Sequence, residues 1–312
     1  MAHYARLDRA AIDGLARRFG IDDVAAFSVM HGGSDNTNYL IKTNSGKYVL
    51  TLCEQKSLER TIDLVNLLVH LANHGIRTSR VVVPLEESVV ILHDQRPVML
   101  KHHIDGDTTG DLSGIALFQL GEEMARLHAI PVPSYVPDSF PYGRSYFHEV
   151  IDSNLDHAFV GWLSEKNSYL QKQIPQTLPK ALIHGDIFVD NLVVQGNQLV
   201  AIIDFEDACH YYRCFDLGMT IVGTCRDHQG ICFEKAKRFI HGYQNQASLQ
   251  PDEREALKIY VVYAAVITSF WRFRHYHLRK PERQFHDKHI EMQTLADTIA
   301  EYPASRFTGL FG

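Results

Sequence analysis

The 312-residue sequence predicts an α+β protein, with a small antiparallel sheet and one helix first and a larger, mainly helical part after it. Three observations predict it. Residues 25–54 alternate in strand fashion around two turn clusters, HGGSDN and TNSG. From Leu112 onward the apolar residues fall mostly at helical spacing. That helical half is interrupted by ALIHGDIFVDNLVVQGNQLVAIIDF (181–205), short apolar runs whose connecting loops carry the polar residues.

Each element can be justified in order. Residues 8–20 read as a short helix closed by Gly20, and 25–54 as three antiparallel strands. Residues 57–76 carry Leu58, Ile62, Val65, Leu68, Val69 and Leu71 at helical spacing, with Ser57 as N-cap and Gly75 at the C-terminal end. Residues 81–106 give two more strands, the second ending at 99–103. GIALFQLGEEMARLHAI (114–130) is an amphipathic helix stopped by Pro131. A Pro-rich loop (131–143), a helix to about Gln173, the hairpin, and at least two late helices complete the chain. The reading divides it into residues 1–103 and 104–312.

Composition narrows the function. Net charge is −6 with Lys and Arg scattered, so no basic face recommends nucleic acid or an anionic membrane. Five cysteines without CxxC spacing read as free thiols in a reducing cytoplasm. The first twenty residues lack an apolar core and do not read as a signal peptide, and the longest apolar run, IYVVYAAVI (259–267), is too short to span a bilayer. His275 and His277, two apart on a helix, point to different faces and argue against zinc.

The chemistry is concentrated in Asp186, Asn191 and Asp204. The QGNQ turn makes residues 191–205 a β-hairpin, which sets Asn191 before one strand beside Asp204 at the end of the other. Both offer hard oxygens at one end of the hairpin, which suits Mg²⁺ held together with phosphates. Asp186, on the loop feeding the hairpin, is left to face an acceptor hydroxyl. That is the layout of a phosphoryl-transfer site.

HGDIFVDN, IIDFEDA and FDLGM together resemble the aminoglycoside phosphotransferase and choline kinase superfamily over nearly the whole chain. The resemblance implies a protein-kinase-like two-lobe fold, a nucleotide-binding lobe at 1–103 and a catalytic, substrate-binding lobe at 104–312. It implies Asp186 as catalytic base, Asn191 and Asp204 as magnesium ligands, and His184 as a loop brace. Asp216 reads as a cap for the helix beginning LGM or as a second brace. Only twelve residues separate Asp204 from Asp216, which leaves no room for an activation segment, so a small hydroxyl compound is the expected acceptor.

On the nucleotide side, Ser34, Asn36 and Thr37 are phosphate-loop candidates, with Val49, Thr51, Lys101 and His103 near the nucleotide. Thr51 stands where kinases carry a phosphate-binding Lys, and Lys42 or Lys47 is a possible substitute. ATP is the expected donor. SDNTNYLIKTNSGKYVLTLCE also resembles the homoserine kinase branch, in which Thr stands at the Lys position. That implies phosphorylation of L-homoserine in threonine biosynthesis. A zwitterionic acceptor needs an anion for its ammonium, for which Glu206 and Asp207 are candidates, and a cation for its carboxylate. Arg272 and Arg274 diverge by about 200° on a helix, so one at most serves, and Arg274 is preferred. Choline, amino sugars or hydroxylysine are alternative acceptors, and a pseudokinase that binds ATP without turnover is the alternative from another class.

Overall fold

The structure is a computed structural model that describes residues 7–30, 36–153 and 155–312. Two compact units divide the chain: Met1–Gly106 with Val200–Ile203, and Asp107–Leu199 with Asp204–Gly312. The sequence reading divides it at 103/104; the units part at Gly106, and Val200–Ile203 is counted with the first.

The first unit opens with α1 (Arg9–Arg18), whose first turn is capped by the Asp8 carboxylate accepting from the Ala11 N–H. Strands β1 (Val24–Met30), β2 (Asn36–Thr43) and β3 (Lys47–Cys53) pair antiparallel, as the alternation predicts. Then come α2 (Leu58–Asn73), capped by Ser57, and β4 (Val81–Val82), β5 (Ile91–His93) and β6 (Arg96–His102). The sheet runs β1-β2-β3-β6-β4, with β5 also on β6. Three strands form over 81–106 where the sequence suggests two. Asp94 and Gln95 both take left-handed φ, a tight turn that folds 91–102 back on itself. Tyr39 and Ile41 of β2 join Ile12, Leu15, Leu50, Leu52, Val98 and Leu100 in this unit's core.

The second unit contains α3 (Gly114–Leu127), α4 (His148–Ile151), α5 (His157–Gln173), β7 (Lys180–Ile183), β8 (Leu192–Gln195), the first two residues of β9 (Gln198–Ile202), β10 (Cys209–Tyr212) and α6 (Arg213–Thr224). It continues through β11 (Arg226–Asp227), β12 (Gly230–Ile231), α7 (Phe233–Gln246), α8 (Pro251–Phe273), α9 (Lys288–Glu301) and α10 (Ala304–Thr308). Helix α3 packs on α7, α6 on α8, and α8 on α9. From Tyr260 to Phe270 every residue of α8 is buried, so this helix is apolar all round because it is the core. Together with the π-helical turn Arg274–Arg279 it is long and apolar enough to cross a membrane, but 78% of its most apolar stretch lies inside the fold.

Candidate active site

Strand β7 pairs antiparallel with β10, Ile183 opposite Cys209. This register sets the loop leaving β7 (His184, Gly185, Asp186) beside the segment that enters β10 (Phe205, Glu206, Asp207). The His184 and Phe205 rings lie 4.5 Å apart. Gly185 has φ +85°, and a Cβ there would stand 2.6 Å from the Phe140 ring, so glycine alone fits.

The loop's own hydrogen bonds fix Asp186. Its N–H donates to His184 Nδ1 (3.2 Å), so the network places the proton of a neutral His184 on Nε2. Asn191, after a 3₁₀ turn over Val189–Asn191, donates its amide to the Asp186 carbonyl (2.8 Å) and to Oδ2 (3.2 Å). Asp204 follows β9 in the left-handed conformation (φ +68°), a position Asp tolerates better than most residues. Burial of its carboxyl, then the facing carboxylates of Asp207, Asp204 and Asp190, push Asp186 well above the usual carboxylate range; the Asn191 amide opposes this.

Asp216 behaves oppositely. It lies within the first turn of α6, which starts at Arg213, so it does not cap a helix beginning at Leu217. Its fully buried carboxylate accepts from the His184 N–H (3.0 Å) and the Gly185 N–H (2.8 Å). His128 Nε2 stands 3.0 Å from Oδ2, and a carboxylate can only accept, so His128 donates; its Nδ1 then accepts from the Tyr243 hydroxyl (3.0 Å). Burial alone would raise Asp216, yet the hydrogen bonds from His128 and from the His184 backbone hold it below its ordinary value. Seven residues further along α6, Gly223 lets the helix touch the loop backbone: a Cβ there would lie 1.9 Å from the Ile187 carbonyl. His128 and Tyr243 are absent from the sequence reading; the LHAI ending of α3 is the only local hint of the first.

Asn191 and Asp204 pass a chemical test for Mg²⁺. The Asn191 amide nitrogen is committed to Asp186, which leaves its Oδ1 as a hard-oxygen donor. Burial and then the carboxylates of Asp207, Asp204 and Asp190 disfavour the charged form of Asp186, and a cation held here would offset that. These side chains lie within residues 27–260, which match the phosphotransferase enzyme family. The chain belongs to this family.

The phosphotransferase is 27% identical over 268 residues to the homoserine kinase of Rhodopseudomonas palustris (strain BisB18), across 83% of this chain and 82% of that one. It is 26% identical over 272 residues to the homoserine kinase of Mesorhizobium japonicum, across 82% and 83%. Among solved structures it resembles the microcompartment-associated aminopropanol kinase (TM-score 0.75, 17% identity, 97% of this chain and 100% of that one). It also resembles spectinomycin phosphotransferase in complex with ADP and spectinomycin (TM-score 0.70, 16% identity, 96% and 100%). At these identities the likeness is one of fold, and it bears out the α+β, protein-kinase-like architecture.

Several expected site residues are placed differently in the phosphotransferase. Ser34 lies outside the described residues. Thr37, expected to lay its hydroxyl over phosphates, is fully buried and donates to Glu54 Oε1 (2.9 Å); alternation along β2 turns it inward with Tyr39 and Ile41. Thr51 is likewise buried, and its hydroxyl donates to Asn38 Oδ1 (2.7 Å) directly across the β2–β3 pair. Lys42 and Lys47 face each other at the other end of those strands, and Lys47 pairs with Asp105 (2.6 Å). Four residues along β3 is about 13 Å, so neither replaces a cation at Thr51. Asn36 begins β2, Val49 and Lys101 are opposed across β3 and β6, and His103 follows β6, its N–H bonded to the Lys47 carbonyl.

On the acceptor side, Asp207 stands near enough to Asp186 to raise it, while Glu206 is partly buried in the same 3₁₀ turn. Arg274, the expected partner of a substrate carboxylate, has partners within the fold. The helix changes to a π turn at this residue, and its guanidinium pairs with Glu149 (3.1 Å) and lies over the Tyr146 and Phe270 rings. Arg272 pairs with Glu291 (2.7 Å). Sequence reasoning also missed Tyr142: buried on the 131–143 loop, edge-on to Phe140 at 4.3 Å, and within electrostatic reach of Asp186, Asp207 and Asp204. Trp271 lies 6.5 Å from it, ring to ring.

Proposed function

We propose that this phosphotransferase transfers the γ-phosphoryl group of ATP to the hydroxyl of L-homoserine, giving O-phospho-L-homoserine. The observation that carries the reading is the pair Asp186 and Asp207: one carboxylate bonded by the Asn191 amide on a backbone held by His184, a second near enough to raise it. The first accepts the proton of the acceptor hydroxyl, and the second faces the acceptor's ammonium. The names of the relatives supply the choice of homoserine. Asn191 and Asp204 would hold Mg²⁺, which when bound neutralises charge on the phosphates. Asn36, Val49, Lys101 and His103 are the first unit's candidates for nucleotide contact. The five free thiols fit a cytoplasmic enzyme.

Tyr142 and Trp271 favour a second reading. Aromatic faces beside carboxylates suit an ammonium with little hydration, so choline is the next acceptor, ahead of amino sugars and hydroxylysine. ADP release from magnesium–ATP over L-homoserine, choline, hydroxylysine, kanamycin and hexosamines separates them, with Asp186→Asn as background. Turnover confined to homoserine is expected. Turnover confined to choline replaces the acceptor and keeps the roles of Asp186 and Asp207.

A further inference from the structure

Cys225 and Cys232 flank the smallest hairpin of the second unit. In β11 and β12, Arg226 is opposite Ile231 and Asp227 opposite Gly230, so the next pair outward is Cys225 with Cys232. The Cys232 N–H donates to the Cys225 carbonyl at 2.8 Å, one of the two bonds of a hydrogen-bonded antiparallel pair; the Cys225 N–H stays with the Ile221 carbonyl of α6 at 3.0 Å. Such pairs hold their Cα atoms about 5.5 Å apart with both side chains on one face. A disulfide needs roughly 4.4–6.8 Å. Both thiols are free, and no other local geometry in the described residues sets two cysteines opposite each other in this way.

We infer that Cys225 and Cys232 form a redox-convertible dithiol, oxidised to a disulfide by thiol–disulfide exchange with a small disulfide such as oxidised glutathione. The chemistry runs in order of access. Cys232 is partly exposed, is the N-cap residue of α7, and has Lys235 within electrostatic reach. Its thiolate attacks one sulfur of the oxidant, forming a mixed disulfide and releasing one thiol. Cys225, fully buried at the C-terminal end of α6, then gives up its proton and attacks the Cys232 sulfur, releasing the second thiol. Two protons and two electrons pass from the protein to the oxidant. Burial pushes the Cys225 thiol up to about 12, against the Thr224 hydroxyl and Lys235, so the second step is the slow one. The inference is independent of the acceptor, since neither thiol belongs to the proposed reaction.

The test uses the whole protein equilibrated in glutathione buffers from fully reduced to fully oxidised, quenched in acid, alkylated after unfolding and mapped by peptide mass. The expected result is joint loss of alkylation at Cys225 and Cys232, with one peptide pair linked through them and lighter by two hydrogens. Cys225→Ser should leave a lasting glutathione adduct on Cys232, while Cys232→Ser should leave Cys225 reduced throughout. Three results overturn the inference: independent alkylation of both thiols at every poise, a persistent glutathione adduct on wild-type Cys232, or a link to Cys53, Cys209 or Cys214. The wild-type map decides the matter even where a variant does not fold.

Discussion

Asp186 and Asp216 are aspartates of one site, joined through the backbone of His184 and Gly185, and burial drives both toward the neutral form. They end on opposite sides of the ordinary carboxylate range. Asp216 meets donors: two backbone N–H groups and an imidazole that is itself held by Tyr243. Asp186 meets other carboxylates and a single amide. Depth in the protein therefore says little about what an acid is for. Its neighbours say it: a carboxylate ringed by donors is structural, and one left among its own kind is kept for a proton or a cation.

The sharpest way to break this contrast is Asp186→Asn, which removes the proposed base and keeps the loop's backbone bonds. Turnover should fall by roughly 10²–10⁴ while nucleotide affinity holds, read by steady-state ADP release and by ATP titration. Near-full turnover would show that Asp186 is not the acid that matters. Next in size is Asp216→Ala, which strands three buried donors and should cost about 3–5 kcal/mol in denaturant unfolding. Because Asp216 is depressed in the fold, its contribution is complete above its unfolded value of about 3.9 and is lost as pH falls through the lower folded value. Wild type should thus lose stability on acidification below about pH 4, and Asp216→Ala should lose less. Tyr243→Phe removes one bond from the same chain and should cost about 1 kcal/mol with turnover unchanged, measured by urea midpoint and ADP release. The smallest effect is the most telling. With chelator present, Asp186→Asn should melt about 1–3 °C above wild type, since it relieves carboxylate crowding. A lower melting point would mean that Asp186 is structural like Asp216.

Much of this was legible in the sequence where chemistry is local. The Asp186, Asn191 and Asp204 spacing around a hairpin turn foretells a shared loop region because a hairpin fixes which ends meet. The strands of 25–54 show in their alternation. Legibility fails where partners are distant or geometry departs from the ideal. His128 and Asp216 are 88 residues apart, and nothing in either local pattern announces the other. Alternation tells that Thr37 and Thr51 could point inward, though not that Glu54 and Asn38 would take their hydroxyls. Arg274 takes internal partners that the local pattern does not announce, because the chain leaves α-helical geometry for a π turn there.

The bare contact of α6 at Gly223 with the carbonyl of Ile187 divides the enzyme for anyone who would redesign it. Main chain against main chain sets this spacing with no side chain between. Position 223 has no latitude, because every other residue adds atoms where there is no room and carries Asp186 outward. A library seeking new acceptors belongs on the 131–143 loop and around Asp207, with position 223 left as the fixed datum from which the reacting geometry is measured.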